Sequence, residues 1–354
     1  MLKNSISFFL IIAGLLCGQS KLPNPANVNR EIFFGRQPSA RIEATGQTGV
    51  TYDNWLNPAV GFEQTTEVFY TYATPQSYWD DNFFNFASLS VGVLPDLKIG
   101  AGYQNVCNRI ENDDPFMYYS TSKLSAGYQL SDDLIAGTTV NYLYNWLPDA
   151  LDLVDEFGQP LGQKEYSENA WSVDIGALYN FNLSQLPGNK LIFAVSCQNA
   201  IATKLVSSLG NEDWGQKEEL PVIFRTGISW EYKHKDNSWS DYSLQLHYQY
   251  QDLINSSMRT KHSLGTEITY HDLLIIRGGF YSETGGISNQ YTDNFTRNEF
   301  TYGIGMKISP DEKFPLSLEF SYAHLPLSDK ITTDQKKDNT SFSTFSIGAS
   351  YKIR

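Results

Sequence analysis

The fold is decided by the stretch Phe345-Ser346-Ile347-Gly348-Ala349-Ser350-Tyr351-Lys352-Ile353, in which apolar residues alternate without a break with small or polar ones. Successive side chains of a β-strand point to opposite faces, so this alternation predicts a strand with one apolar face. The apolar set is rich in aromatic residues, and the strand runs to the chain terminus, as in a barrel that closes on its last strand. The stretch therefore indicates a transmembrane β-barrel of the outer-membrane type.

The same alternation recurs along the chain and predicts an all-β fold, an antiparallel barrel of about fourteen strands. The predicted strands occupy residues 65–73, 84–93, 97–103, 124–130, 134–146, 171–179, 191–197, 222–232, 242–250, 264–270, 274–280, 300–308, 316–322 and 345–353. Long connections alternate with short ones, as outer loops and periplasmic turns do, which places both termini in the periplasm. A soluble β-sandwich or propeller is the alternative, but it would not require an apolar outer stripe on nearly every strand.

Composition excludes several other classes of protein. The mean hydropathy is -0.35, and no stretch after the first twenty residues approaches the length of an apolar membrane helix. The formal net charge of -13 argues against nucleic acid as a partner. Outside the first twenty residues the only cysteines are Cys107 and Cys197, which fall on separate predicted strands, so a disulfide scaffold is not indicated.

The residues before the first strand divide into two parts. Residues 1–20 carry a lysine, a short apolar run and small residues, which predict a cleaved signal peptide and an exported protein. Lipidation at Cys17 is the alternative, disfavoured by the bulky Leu16 before it. Residues 21–64 are rich in proline and glycine and are predicted to be either a plug inside the barrel or a periplasmic segment. Residues 65–354 then form the barrel.

Two short motifs in this irregular segment resemble those of a known superfamily. Residues 38–46, with Ala40, Arg41 and Gly46, are followed after a spacer by Asn57-Pro58-Ala59. The pair is similar to the N-terminal signature of the FadL-type outer-membrane barrels, including the PorV and PorQ proteins of Bacteroidetes. The resemblance implies fourteen strands, an N-terminal segment in the lumen, and one of two functions. The first is an accessory role in type IX secretion or surface attachment, with secretion-system proteins as partners; the alternative is passive transport or binding of hydrophobic small molecules.

Polar residues alternate with the lipid-facing set and are predicted to face the lumen. They are Lys123, Asn141, Asp174, Arg225, Glu231, Gln245, His247, Gln249, Glu267, Arg277, Lys307 and Glu319. Arg225, His247, Glu267 and Arg277 are the candidates for a ligand path, and the alternative is a structural network of paired charges. Apolar inward residues such as Leu143 and Ile223 are predicted to line a hydrophobic pocket or to pack against the plug.

No catalytic, cofactor or metal site is predicted. His247 and Ser263 lie on neighbouring predicted strands, but no motif of a hydrolase surrounds them. The acidic loop 147–169 lacks the glycine-centred spacing of a calcium loop. At the lipid-facing position Ile304, substitution by arginine is expected to destabilise the barrel more than Gly303→Ser does.

Overall fold

Fourteen long antiparallel strands close into a barrel in the computed structural model, which confirms the predicted fold class. The structure describes residues 39–61, 65–75, 83–108, 117–147, 166–183, 188–203, 206–207, 220–234, 241–254, 260–286, 294–309, 315–329 and 338–352. The predicted signal peptide, residues 1–20, lies outside the described residues. No helix within the described ranges has the length and apolar character needed to cross a membrane.

The strands follow the chain as an up-and-down meander. They are β1 (Thr65–Pro75), β2 (Phe83–Leu94), β3 (Leu97–Asn108), β4 (Met117–Gln129), β5 (Leu134–Leu147), β6 (Tyr166–Asn182), β7 (Asn189–Ala202), β8 (Val206–Ser207), β9 (Val222–His234), β10 (Tyr242–Ile254), β11 (Thr260–Tyr270), β12 (Leu274–Gly286), β13 (Asn294–Ile308), β14 (Leu316–Asp329) and β15 (Asp338–Lys352). The two-residue strand β8 pairs only with β6 and is not part of the wall.

The first and last wall strands pair with each other and close the ring. Their register runs from Thr65 opposite Lys352 to Pro75 opposite Phe342. Closure gives every wall strand two hydrogen-bonded neighbours, so no sheet edge is left facing lipid. We call the end of the barrel with connections 95–96, 130–133 and 271–273 the short-turn rim, and the opposite end the long-loop rim.

The alternation predicted from the sequence is the alternation of lipid-facing and lumen-facing side chains. Ile304 and Val68 are about half exposed on the outer face, at 53% and 52%, and Phe300 is 75% exposed. The neighbouring Thr301 and Gly303 point inward and are buried. An apolar outer belt is stable only when hydrocarbon surrounds it, which is the property of an outer-membrane barrel.

Tight turns hold the strands together at the short-turn rim. His271 and Asp272 both have positive φ, 53° and 50°, between β11 and β12. Two consecutive left-handed residues match the right-handed twist of the flanking strands, as in a type I′ hairpin turn. This is the connection that the sequence predicts at residues 271–272.

Strand β7 departs from regular pairing near the long-loop rim. Val173 pairs with Ile201 and Ile175 pairs with Cys197, so three residues of β7 oppose the single residue Asp174 of β6. Asn199, in the middle of this bulge, has φ 57°. Cys197 beside the bulge is a free, buried thiol.

Candidate functional site

Residues 39–61 lie inside the barrel, where they contact the inward side chains of strands around the whole ring. We call this stretch the lumenal segment. It begins with the short helix α1 (Ala40–Ala44), whose N-cap Ser39 accepts a hydrogen bond from the Ile42 amide at 3.2 Å. The Ala40 amide donates to Ser346 Oγ of β15 at 2.9 Å, so the start of the helix is fixed to the wall. Such caps satisfy amides that a helix of one turn cannot pair by itself.

A chain of alternating charges fixes α1 to the neighbouring part of the wall, from β10 to β14. Arg41 makes an ion pair with Glu267 on β11 at 3.0 Å and donates to Gln245 on β10 at 2.9 Å. Arg277 on β12 donates to the same Glu267 at 2.6 Å and pairs with Glu319 on β14 at 2.7 Å. Because each buried carboxylate lies beside a cation, the network offsets the cost of removing these charges from water.

The middle of the lumenal segment is held through its backbone amides. Gln249 Oε1 on β10 accepts from the amides of Gly49 and Val50, each at 2.9 Å. Thr301 Oγ1 on β13 accepts from the Gly46 amide and donates to the Ala44 carbonyl, both at 2.9 Å. Wall side chains thus satisfy amides and carbonyls of an irregular stretch that has no strand partner of its own.

The next turn combines hydrogen bonds with ring contacts. Thr51 Oγ1 lies 2.5 Å from Ser229 Oγ, which is 2.6 Å from His247 Nδ1. The Tyr52 ring lies 4.7 Å from the His247 ring and 4.3 Å below the Arg41 guanidinium. Burial raises the pKa of the Tyr52 hydroxyl to about 12. His247 therefore serves as a packing and hydrogen-bonding group beside the lumenal segment.

The last part of the segment is fixed against β2 to β6. The Lys123 ammonium lies 4.0 Å above the Trp55 ring and forms an ion pair with Asp174 at 3.3 Å. Asn57 Nδ2 donates to the carbonyls of Val50 and Ala177, at 2.9 Å and 3.2 Å. Asn57 Oδ1 accepts from the Ala59 amide, which forms the turn of the Asn-Pro-Ala motif.

Wall glycines allow this segment to approach the sheet at backbone distance. Gly265 and Gly279 are paired across β11 and β12, and a Cβ at Gly279 would lie 2.0 Å from the Gly46 nitrogen. Gly137 and Gly176 are paired across β5 and β6, and a Cβ at Gly137 would lie 2.3 Å from the Pro58 carbonyl. At these two glycine pairs no wall side chain separates the lumenal segment from the sheet, so the backbone of the segment packs directly against the inner face of the wall.

Toward the long-loop rim the lumen is lined by two apolar clusters. The inner cluster packs Phe84 and Phe86 of β2 against Trp55, with the Trp55 and Phe86 rings edge to face at 4.7 Å. The outer cluster joins inward side chains of β5, β6, β9 and β10 with Leu220, and Val106 packs against both clusters. An apolar surface therefore runs from the long-loop side of the lumen to the lumenal segment.

The residues named from sequence fall into separate places in this arrangement. Ala40, Arg41, Gly46, Asn57, Pro58 and Ala59 all belong to the lumenal segment or its wall contacts. Glu267 and Arg277 meet in the charge network, His247 faces Tyr52, and Arg225 lies farther along, fully buried between Gln198 and Gln251. Their role in a ligand path stays a prediction.

Sequence reasoning missed the wall glycines and the buried Leu220, which precedes β9. The wall glycines could have been found from the sequence, because each pair occupies inward positions on two neighbouring strands. In the described part of the chain no group of three or more metal-ligating side chains comes together.

Inside the lumenal segment, burial raises the pKa of the Asp53 carboxyl to about 6, and this carboxyl accepts a hydrogen bond from the Trp55 amide.

No protein-family model and no curated protein matches the chain. Solved structures match its fold. The monoaromatic hydrocarbon channel CymD superposes with a TM-score of 0.51 at 10% identity, covering 89% of this chain and 97% of that chain. The deltaS2S3 mutant of the monoaromatic hydrocarbon channel TodX gives 0.50 at 14% identity, covering 88% and 98%. The P. putida toluene transporter TodX gives 0.48 at 13%, covering 89% and 98%.

The chain has the barrel fold of these hydrocarbon channels. The similarity to CymD and to the TodX mutant supports the predicted barrel fold. At identities of 10% and 14% it concerns the fold alone and does not extend to the PorV or PorQ proteins.

Proposed function

We propose that this protein is an outer-membrane barrel that binds small hydrophobic molecules and passes them across the membrane, with the lumenal segment as its internal plug. The observation that carries the proposal is the apolar surface inside the lumen. It begins at Leu253 and Ile223 near the long-loop rim and continues through Val106 to Phe84 and Phe86 beside the lumenal segment.

A channel for polar solutes would need a different lining. Water-filled barrels keep polar side chains along the lumen, because ions and sugars exchange their hydration for those groups. Here Phe84 and Phe86 point inward and are 2% and 3% exposed, so apolar rings occupy the interior. The two channels of the same fold, CymD and the TodX mutant, are monoaromatic hydrocarbon channels, which agrees with such a lining.

The charged residues predicted as a ligand path have a different part in this proposal. Glu267 and Arg277 hold α1 through Arg41, and they lie toward the short-turn rim, beyond the apolar surface. They regulate passage by fixing the plug. Arg225 lies two residues from Ile223 along β9 and marks the polar floor of the outer apolar cluster.

Uptake of labelled toluene by cells with an intact lipopolysaccharide outer membrane tests the proposal. Production of the protein should raise toluene uptake several-fold without raising sucrose entry, and Phe86→Glu should abolish the gain because it places a charge on the apolar surface. Thr139→Ser, which alters a small inward residue of β5, is the control and should behave like the wild type. Sucrose entry without a gain in toluene uptake would overturn the proposal.

The proposal also includes the orientation of the barrel in the outer membrane. Short connections at one rim and long ones at the other support a barrel whose short-turn rim faces the periplasm. A protease site inserted at 131–133 should be protected on intact cells, whereas one inserted at 330–337 should be cleaved. The reverse result would invert the orientation and leave the fold unchanged.

An accessory role in type IX secretion is the second candidate, and the motif at Ala40, Arg41 and Asn57 favours it. Deleting the gene in its own organism should then release surface-attached proteins into the medium, while toluene uptake stays unchanged. Neighbouring genes for secretion and sortase components would support this role, and genes for hydrocarbon or lipid degradation would support transport.

A further inference from the structure

Two residues of the connection between β8 and β9 enter the lumen near the long-loop rim. We call Leu220 and Pro221 the strap. Leu220 is 2% exposed and packs in the outer apolar cluster, although it lies on no strand. Connections normally run over the surface, so a buried leucine at this point requires a reason.

The surroundings of Leu220 form a built apolar site. Leu143 and Ala170 are paired across β5 and β6, and Ile223 and Leu253 are paired across β9 and β10. All four side chains are buried and belong to one cluster with Leu220. The two pairs flank the sector of the wall that contains β7, and the isobutyl group of Leu220 fills the space between them. Its volume is that of a small apolar molecule.

The bulge in β7 holds the strap in this place. Asn199 Nδ2 donates to the Pro221 carbonyl at 2.8 Å. Asn199 itself is fixed by Ser172 Oγ, which donates to its Oδ1 at 2.7 Å, and by Asp174 Oδ1, which accepts its amide at 2.8 Å. A non-glycine residue with φ 57° has a strained backbone, which persists here because three hydrogen bonds fix Asn199.

We propose that Leu220 is an internal stopper that occupies a binding site for a small apolar molecule, of about one aromatic ring, and that Asn199 latches it. This inference rests on the proposed transport function for the direction of passage. The ligand enters from the long-loop rim, displaces the isobutyl group from between Leu143, Ile223 and Leu253, and then reaches the apolar surface that leads to the lumenal segment. The stopper closes the outer half of the lumen when no ligand is present.

The first test removes the stopper. Leu220→Ala should bind benzene at least tenfold more tightly than the wild type in calorimetry of the purified full-length barrel, since a dry apolar cavity of this kind accepts benzene. It should also raise toluene uptake several-fold. Leu325→Ala is the matched control, because it deletes the same atoms from a buried leucine on β14, outside the cluster of Leu220. If Leu220→Ala does not insert into the membrane, Leu220→Val should also bind benzene more tightly and raise toluene uptake relative to the wild type, with smaller changes.

The second test separates a stopper from a mere cavity. Asn199→Gly keeps a residue that tolerates positive φ and removes the hydrogen bond to Pro221, while Leu220 stays in the chain. A stopper predicts faster toluene uptake in Asn199→Gly as well. If the wild type raises toluene uptake and Leu220→Ala binds benzene, but neither variant changes that uptake, Leu220 is only a packing residue and the inference is wrong.

Failure of this inference is distinguishable from failure of the proposed function. A wild-type protein that raises toluene uptake, with both variants and Leu325→Ala at the same level, contradicts the stopper and leaves transport in place. A wild-type protein and variants that all fail to raise uptake contradict transport. Tighter benzene binding by Leu220→Ala than by Leu325→Ala would then still support the apolar site.

Discussion

Replacing Gly279 by alanine tests whether the lumenal segment rests on the wall as described. The added Cβ would lie 2.0 Å from the Gly46 nitrogen and 2.3 Å from the Thr45 carbonyl carbon, and both atoms are backbone. Ordinary contact begins near 3.4 Å, so the segment must withdraw by about 1.4 Å. Gly278, the preceding residue, faces outward, and a Cβ there would meet only Thr266 Cγ2 at 3.8 Å. Gly278→Ala is therefore a matched control.

The cost of Gly279→Ala follows from two contributions. Overpacking at a close contact typically costs about 1–3 kcal/mol. Withdrawal of Gly46 also breaks its 2.9 Å hydrogen bond to Thr301, which contributes about 1 kcal/mol. The docked state of the lumenal segment should lose about 2–4 kcal/mol, or roughly 30- to 700-fold in its docking equilibrium. Gly278→Ala should change this equilibrium by less than about threefold.

Hydrogen exchange of the amides in residues 39–61, followed by mass spectrometry on the purified barrel, measures this equilibrium. Gly279→Ala should speed exchange in the segment, while the wall strands and the heat-modifiable gel mobility stay as in the wild type. Equal exchange in the two variants would show that the segment does not lie against β11 and β12. The charge network and the glycine pairs would then need another explanation.

Three further tests probe the charge network, the lipid face and the dependence of docking on pH. Glu267→Gln removes the carboxylate that Arg41 and the buried Arg277 share, leaves Arg277 with the Glu319 carboxylate alone, and should cost about 3–5 kcal/mol in the same exchange assay. Glu231→Gln, whose partner lysine is exposed, should cost less than about 1 kcal/mol. Ile304→Arg should cost about 2–4 kcal/mol in urea unfolding from lipid vesicles. Gly303→Ser should cost a similar amount, because its Cβ would lie 2.5 Å from a carbonyl of β14. Because burial raises the pKa of Asp53 to about 6, the docked segment favours the protonated carboxyl. This contribution to docking is complete below pH about 4 and is lost as the pH rises through about 6. Asp53→Asn should therefore remove this pH dependence of exchange.

The contacts of Gly303 argue against the expectation that Gly303→Ser is milder than Ile304→Arg, for a reason that the strand pattern does not contain. Alternation assigns Gly303 to the lumen, where a small polar side chain is ordinarily tolerated. The structure places Ala44 Cβ of the lumenal segment 2.6 Å from the position of its missing Cβ. Whether an inward glycine faces water or the plug depends on the path of the plug, which alternation along a strand does not encode.

The barrel itself could be predicted from the sequence because lipid imposes a period of two on every wall strand. Fourteen strands and the closure on the last strand follow from that period, and the structure confirms them. Strand lengths were underestimated at the long-loop rim. Strand β4 begins at Met117 rather than near residue 124, and the exposed residue of this added part, Ser122, is polar. The hydrogen-bonded ladder continues beyond the part of the strand where lipid selects apolar side chains.

The candidate site was only partly accessible to the same reasoning. The motif residues Arg41 and Asn57 stand out by type and spacing, and they are the residues that bind the wall through charge and amide hydrogen bonds. Leu220 gives no such signal, because a leucine between strands is common in any connection. It becomes informative only when four strands distant in sequence bring the two apolar pairs to either side of it.

The strap and the lumenal segment differ in the interactions that hold them, and this difference sets the order in which a ligand would displace them. The strap is held by one buried leucine, worth about 1.5–3 kcal/mol, and one hydrogen bond of about 1 kcal/mol from Asn199. The lumenal segment is held by a network of buried ion pairs, by paired amides and by backbone contact with the wall glycines. A small apolar ligand can replace the contacts of Leu220 with its own, but it offers nothing to Arg41 or Glu267 in exchange for theirs. In the proposed transport function, ligand binding therefore opens the strap first, and passage beyond the lumenal segment requires a separate displacement of α1.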